Sequence, residues 1–107
     1  MSQHRYVAHL REQVVCVCVG WDRNTRGFHL SITDLDDELV HLAEDQADLA
    51  AVTHEAQRLG VPMPTALGAA LSDDATLNAC NTVAYYGHEG QQVSQQAYVA
   101  LLRTAAC

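Results

Sequence analysis

The chain has 107 residues, with 13 acidic side chains against 6 basic ones, and a formal charge of −7 at neutral pH. That length supports one domain with one modest core, and 49% apolar with 18% charged residues excludes a disordered acidic tail. The acidity argues against a nucleic-acid ligand, because phosphate neutralisation needs clustered Arg and Lys, and here every basic residue is Arg.

In chain order, Tyr6-Val7-Ala8-His9-Leu10 reads as a first strand and Arg11-Glu12-Gln13 as a polar turn. Val14 to Val19 is β-branched and apolar, the composition of a buried strand. Asp22 to Gly27 supplies turn formers, and Phe28 to Thr33 alternates with period two. Placing Trp21 opposite Phe28 sets Val19 against Leu30 and Val17 against Ile32. Val15, Val17, Val19, Trp21, Phe28, Leu30 and Ile32 then share one face, with Val14, Cys16, Cys18, His29, Ser31 and Thr33 on the other. A slip of one residue would mix the two sets, so the pattern itself selects this register.

Two readings are open for the segment from Asp34 to Leu59. Apolar residues at spacings of three and four suit one long amphipathic helix. Alternatively Asp34-Leu35-Asp36-Asp37 closes a hairpin, Glu38 to Leu42 forms a fourth strand, and a helix starts near Glu44-Asp45; the second reading is preferred. Gly60 ends the helix either way, and Pro62 and Pro64 prevent its continuation. Thr65 to Leu71 reads as a short helix, Ser72-Asp73-Asp74 as the cap of another running through Leu77, Cys80 and Ala84, and Gln92 to Arg103 as a last helix over the sheet. The expected fold is α+β: an antiparallel N-terminal sheet of three or four strands, packed on one face by three or four helices, in a single domain spanning residues 1–107.

The charge is not spread evenly. Between Arg26 and Arg58 there is no basic residue, while eight of the acids fall there. Asp34, Asp36, Asp37, Glu38, Glu44, Asp45 and Asp48 are the candidate contact field for a basic protein surface, since a field of one sign steers a partner of the other. The plainer explanation is a solvated face that keeps the chain soluble. No cofactor is expected, and the spacing of Asp34 to Glu38 is not that of a calcium loop. Cys16 and Cys18 share a strand face with His29, and His9 can be counted as a fourth ligand. Two Cys and two His suit zinc, although Cys-x-Cys in a strand is more often core. No phosphate loop, Gly-x-Ser-x-Gly or His-Glu-x-x-His motif is present; His88-Glu89 between two glycines is the place for an acid–base pair, or simply a polar turn.

No leader-like apolar segment precedes Tyr6, the longest apolar run is far short of a membrane span, and the Cys spacing is not a disulfide framework; a cytoplasmic location with reduced thiols is expected. Val17-x-Val19-Gly20-Trp21-Asp22-Arg23 followed by Gly27-Phe28-His29-Leu30-x-Ile32 resembles a hairpin of small uncharacterised proteins of proteobacterial genomes, plasmids and phages. The resemblance covers about the first 35 residues and extends to the Asn81-Thr82-Val83 region; Asn24 stands where that hairpin has Pro. It implies a mobile-element setting; by analogy of size, charge and setting alone, small acidic proteins of such elements include anti-CRISPR inhibitors that occupy basic nucleic-acid sites. The expected function is therefore a non-catalytic acidic interaction domain. The alternatives are a metal protein or enzyme using Cys16, Cys18 and His29, and a homodimer whose acidic face is solubilising.

Overall fold

A computed structural model describes residues 2–36, 38–78, 82–87 and 90–106. Six strands, β1 (Ser2–Leu10), β2 (Gln13–Asp22), β3 (Gly27–Thr33), β4 (Leu39–Gln46), β5 (Thr82–Tyr86) and β6 (Gln92–Val93), form one sheet in the order β4-β3-β2-β1-β5-β6. Three helices accompany them: α1 (Leu49–Arg58), α2 (Thr65–Leu77) and α3 (Gln95–Ala106). No helix among the described residues is long and apolar enough to cross a membrane.

This corrects the expected sheet of three or four antiparallel strands. The sheet has six strands and is mixed, because β5 pairs in parallel with β1. The segment expected to be helical through Ala84 ends inside β5, Thr82-Val83-Ala84-Tyr85-Tyr86, whose β-branched and aromatic residues pair along the second edge of β1. One helix spans Thr65–Leu77 where two were expected, so Ser72-Asp73-Asp74 lies inside it and caps nothing. Gln92–Val93 is a short strand, and the last helix starts at Gln95. The first strand begins earlier than expected, at Ser2. Its polar opening alternates: Ser2, His4 and Tyr6 are buried while Gln3 and Arg5 face the other side.

The hairpin register is the expected one, with Val17 on Ile32, Val19 on Leu30 and Trp21 on Phe28. Those side chains are buried with Val52 and Ala56 of α1 and Leu67 and Leu71 of α2. Full burial of each Leu, Ile or Val contributes about 1.5–3 kcal/mol. Trp21 and Phe28 meet edge to face at 5.1 Å, and the indole N–H donates to Asn78 Oδ1 at the left-handed end of α2. Tyr6 crosses the core to donate to the Val61 carbonyl.

The preferred hairpin reading, with Glu38 to Leu42 as a fourth strand, agrees with the start of β4, but that strand continues to Gln46 through Glu44 and Asp45, the residues expected to open the helix. Asp48 caps α1 by accepting from the Ala51 amide, so that helix starts after the acids at 44 and 45. Gly60, at φ +82°, turns the chain out of α1 in a conformation that suits glycine. A second correction concerns layering: the helices do not share one face. α1 and α2 cover the core face, whereas α3 lies on the opposite face, its Tyr98 ring 5.0 Å from Tyr85 and beside Cys16.

Candidate functional site

The alternation that builds the core also builds a second face. Cys16, Cys18 and Gly20 of β2, Ser31 and His29 of β3, and Gln3 and Arg5 of β1 point away from α1 and α2. Register aligns Arg5, Cys18, Ser31 and Leu42 in one row across four strands. Since α3 rests on the β5-β1-β2 half of this face, the β2-β3-β4 half stays open as a cavity of 530 Å³. Its lining is mixed: thiols, the hydroxyls of Ser31 and Thr33, Leu42, the guanidinium of Arg5, and the carboxylates of Asp22 and Glu44. Arg5 donates to Gln3 Oε1 at 2.8 Å.

His29 leans over Gly20, where its Nε2 and the Ser2 carbonyl oxygen occupy the space that a Cβ at residue 20 would need. That nitrogen is sealed from solvent without a well-formed hydrogen bond. Burial holds the imidazole below its ordinary pKa, partly offset by the Ser2 carbonyl and by Asp22 and Glu44. Cys18 is pushed up by burial, with Arg5 and Ser31 opposing, so its thiol is protonated at neutral pH and a poor nucleophile. Tyr98 is raised by burial first and the adjoining Cys16 second.

The acidic residues named from sequence fall into distinct roles. Asp34 is folded into the β3–β4 turn, accepting from the amides of Asp36 and Glu38 at 2.9 and 3.0 Å. Asp48 is the α1 cap. Asp36 and Glu38 are exposed in the same hairpin, and Glu44 stands on β4 at the rim of the open cavity. Asp37 and the side chain of Asp45 lie outside the described residues, as do His88, Glu89, Cys80 and Cys107. Four large apolar side chains stand among these acids: Leu35, Leu39, Val40 and Leu42, all 46–58% exposed. Cys16, Cys18 and His29 do share a face as expected, while His9 sits at the far end of β1 opposite Val14. Among the described residues, no three His, Cys, Asp or Glu side chains are grouped as a metal site.

Sequence reasoning missed a buried polar chain on the core face. His4 bonds through Nε2 to Asp74 Oδ2 of α2 at 2.5 Å and through Nδ1 to the Tyr86 hydroxyl of β5 at 2.9 Å. An ionised carboxylate only accepts, so Nε2 carries the proton; in the neutral ring, Nδ1 then accepts from the Tyr86 O–H. Tyr86 is held above the usual phenol range by burial and, secondarily, by the Asp74 charge. The arrangement resembles an acid–base relay in its atoms, yet His4 and Tyr86 are 4% and 1% exposed and neither lines a described cavity. It is a clasp joining β1, α2 and β5. No signal in the sequence marks it, since the partners stand 70 and 82 residues from His4.

No protein-family model, curated protein or solved structure matches the chain. The functional reading therefore rests on the chemistry of these surfaces.

Proposed function

We propose that the chain is a non-catalytic, acidic protein-binding domain whose contact surface is the β3–β4 hairpin and the open half of the sheet beside it. One observation carries the reading: Leu35, Leu39, Val40 and Leu42 are exposed together on an edge hairpin rimmed by Asp36, Glu38 and Glu44. An apolar centre inside a polar rim is the anatomy of a protein interface, and a rim of one sign selects a basic partner. The same acids disfavour direct contact with nucleic acid. A basic, nucleic-acid-binding protein of the host is the partner class that also suits the mobile-element resemblance, with the chain acting as its anti-CRISPR-like inhibitor.

The test uses affinity capture from host extract by the wild-type chain and by a combined Asp36→Asn, Glu38→Gln, Glu44→Gln variant. These three carboxylates leave the Asp34 turn and the Asp48 cap intact. A captured protein is identified, and its affinity is measured from about 50 to 400 mM salt. A basic protein whose affinity falls at least tenfold over that range, and again in the variant, supports the reading. A partner indifferent to both overturns it.

A further inference from the structure

Resting on that reading, we infer that the open half of the second face receives one amphipathic basic helix, laid beside α3 along the strands. Three observations fix the occupant. The surface that α3 leaves open runs from β2, whose Cys16 lies beside Tyr98, to β4 and spans about 10 Å, close to the diameter of a single helix with its side chains. The cavity floor of Cys18, Ser31 and Thr33 consists of small side chains that let a helix approach closely, with Leu42 beside them as an apolar wall. Glu44 and Asp22 line the cavity against one cation, Arg5 on the α3 side, and Glu38 stands exposed on the adjoining hairpin, so the rim on the hairpin side complements Lys and Arg on the helix flank.

The geometry also argues against the other way an edge hairpin binds, which is to pair its free edge with an extended peptide. The β3–β4 ladder shifts register twice, between Phe28 and Leu30 and between Ile32 and Thr33. Such irregularities twist an edge and blunt it as a template for another strand. The seven residues of β3 set a trough about 23 Å long, which matches roughly 15 helical residues.

The experiment pans a displayed library of random 16-residue peptides against the wild-type chain. Enriched peptides are then measured against Ser31→Trp, which fills the trough, and Glu44→Lys, which reverses its rim at an exposed position. Peptides with apolar residues at spacings of three and four, Lys or Arg between them, and at least tenfold weaker binding to both variants are expected. Unchanged thermal melting of Glu44→Lys shows that its loss of binding is not a loss of fold. Enrichment of basic peptides with alternating apolar residues overturns the helix and leaves the acidic protein-binding reading standing. Enrichment of neutral or acidic peptides overturns both, and enrichment of none overturns the helix-in-trough inference.

Discussion

Removing the centre of the buried clasp tests the packing argument most directly. His4→Phe keeps a planar ring of similar size but deletes both hydrogen bonds, leaving the Tyr86 hydroxyl buried without a partner and Asp74 without its imidazole. An orphaned buried hydroxyl costs about 1–3 kcal/mol. A hydrogen bond to a charged group contributes about 1.5–3 kcal/mol, and the lower end applies here because the Asp74 side chain, 17% exposed, regains some water. The expected loss is about 2.5–4.5 kcal/mol, a large part of the roughly 5–15 kcal/mol that holds such a domain together. Equilibrium urea denaturation reads it as a lower midpoint at constant slope. A double-mutant cycle of Tyr86→Phe and Asp74→Asn then asks whether the two ends communicate through the ring. Coupling of at least about 0.5 kcal/mol is expected. A His4→Phe protein within about 1 kcal/mol of wild type, or strict additivity in the cycle, refutes the clasp.

Two other expectations follow from the open face. In Gly20→Ala the new Cβ would stand 1.9 Å from the Ser2 carbonyl oxygen and 2.5 Å from His29 Nε2, so the backbone of β1 has to move. The cost should be about 2–3 kcal/mol, read as a melting temperature lower by roughly 10 °C or more; an unchanged melt contradicts the close approach. Because His29 titrates below its unfolded value of about 6.5, the unfolded chain binds the proton first on acidification. This contribution to stability is therefore complete above about pH 6.5 and declines as pH falls from there towards the lower folded value. His29→Gln should flatten that decline in urea midpoints between about pH 7.5 and 5, and an equally steep profile would exclude His29 as its source.

What could be read from the sequence was local. Strict alternation in Phe28 to Thr33 and the β-branched run before it determine the hairpin register, because one slip would bury Ser31 and expose Leu30. The acids after residue 33 mark a turn for a similar reason: Asp34 can accept from backbone amides two and four residues on. The same vocabulary misled around residues 72–84. Asp73 and Asp74 resemble an N-cap in isolation, and Ala84 resembles helix, but Asp74 stands in the last turn of α2, bonded to His4, and Ala84 is held in a strand opposite that same residue.

By itself, then, the chain determined the β2–β3 register, the apolar face of the sheet and the concentration of charge around the β3–β4 hairpin. Each of these is a short-range periodicity or a count. Only the tertiary structure decided that β5 completes β1 in parallel, that His4 joins Asp74 and Tyr86, and that α3 crosses to the second face. Parallel pairing and buried polar chains are made by residues far apart in sequence, where spacing holds no information about distance. The position of α3 matters most for the proposed interface. Covering only the β5-β1-β2 side of the second face, it leaves Cys18, Ser31, Thr33 and Leu42 in an open trough with Asp22 and Glu44.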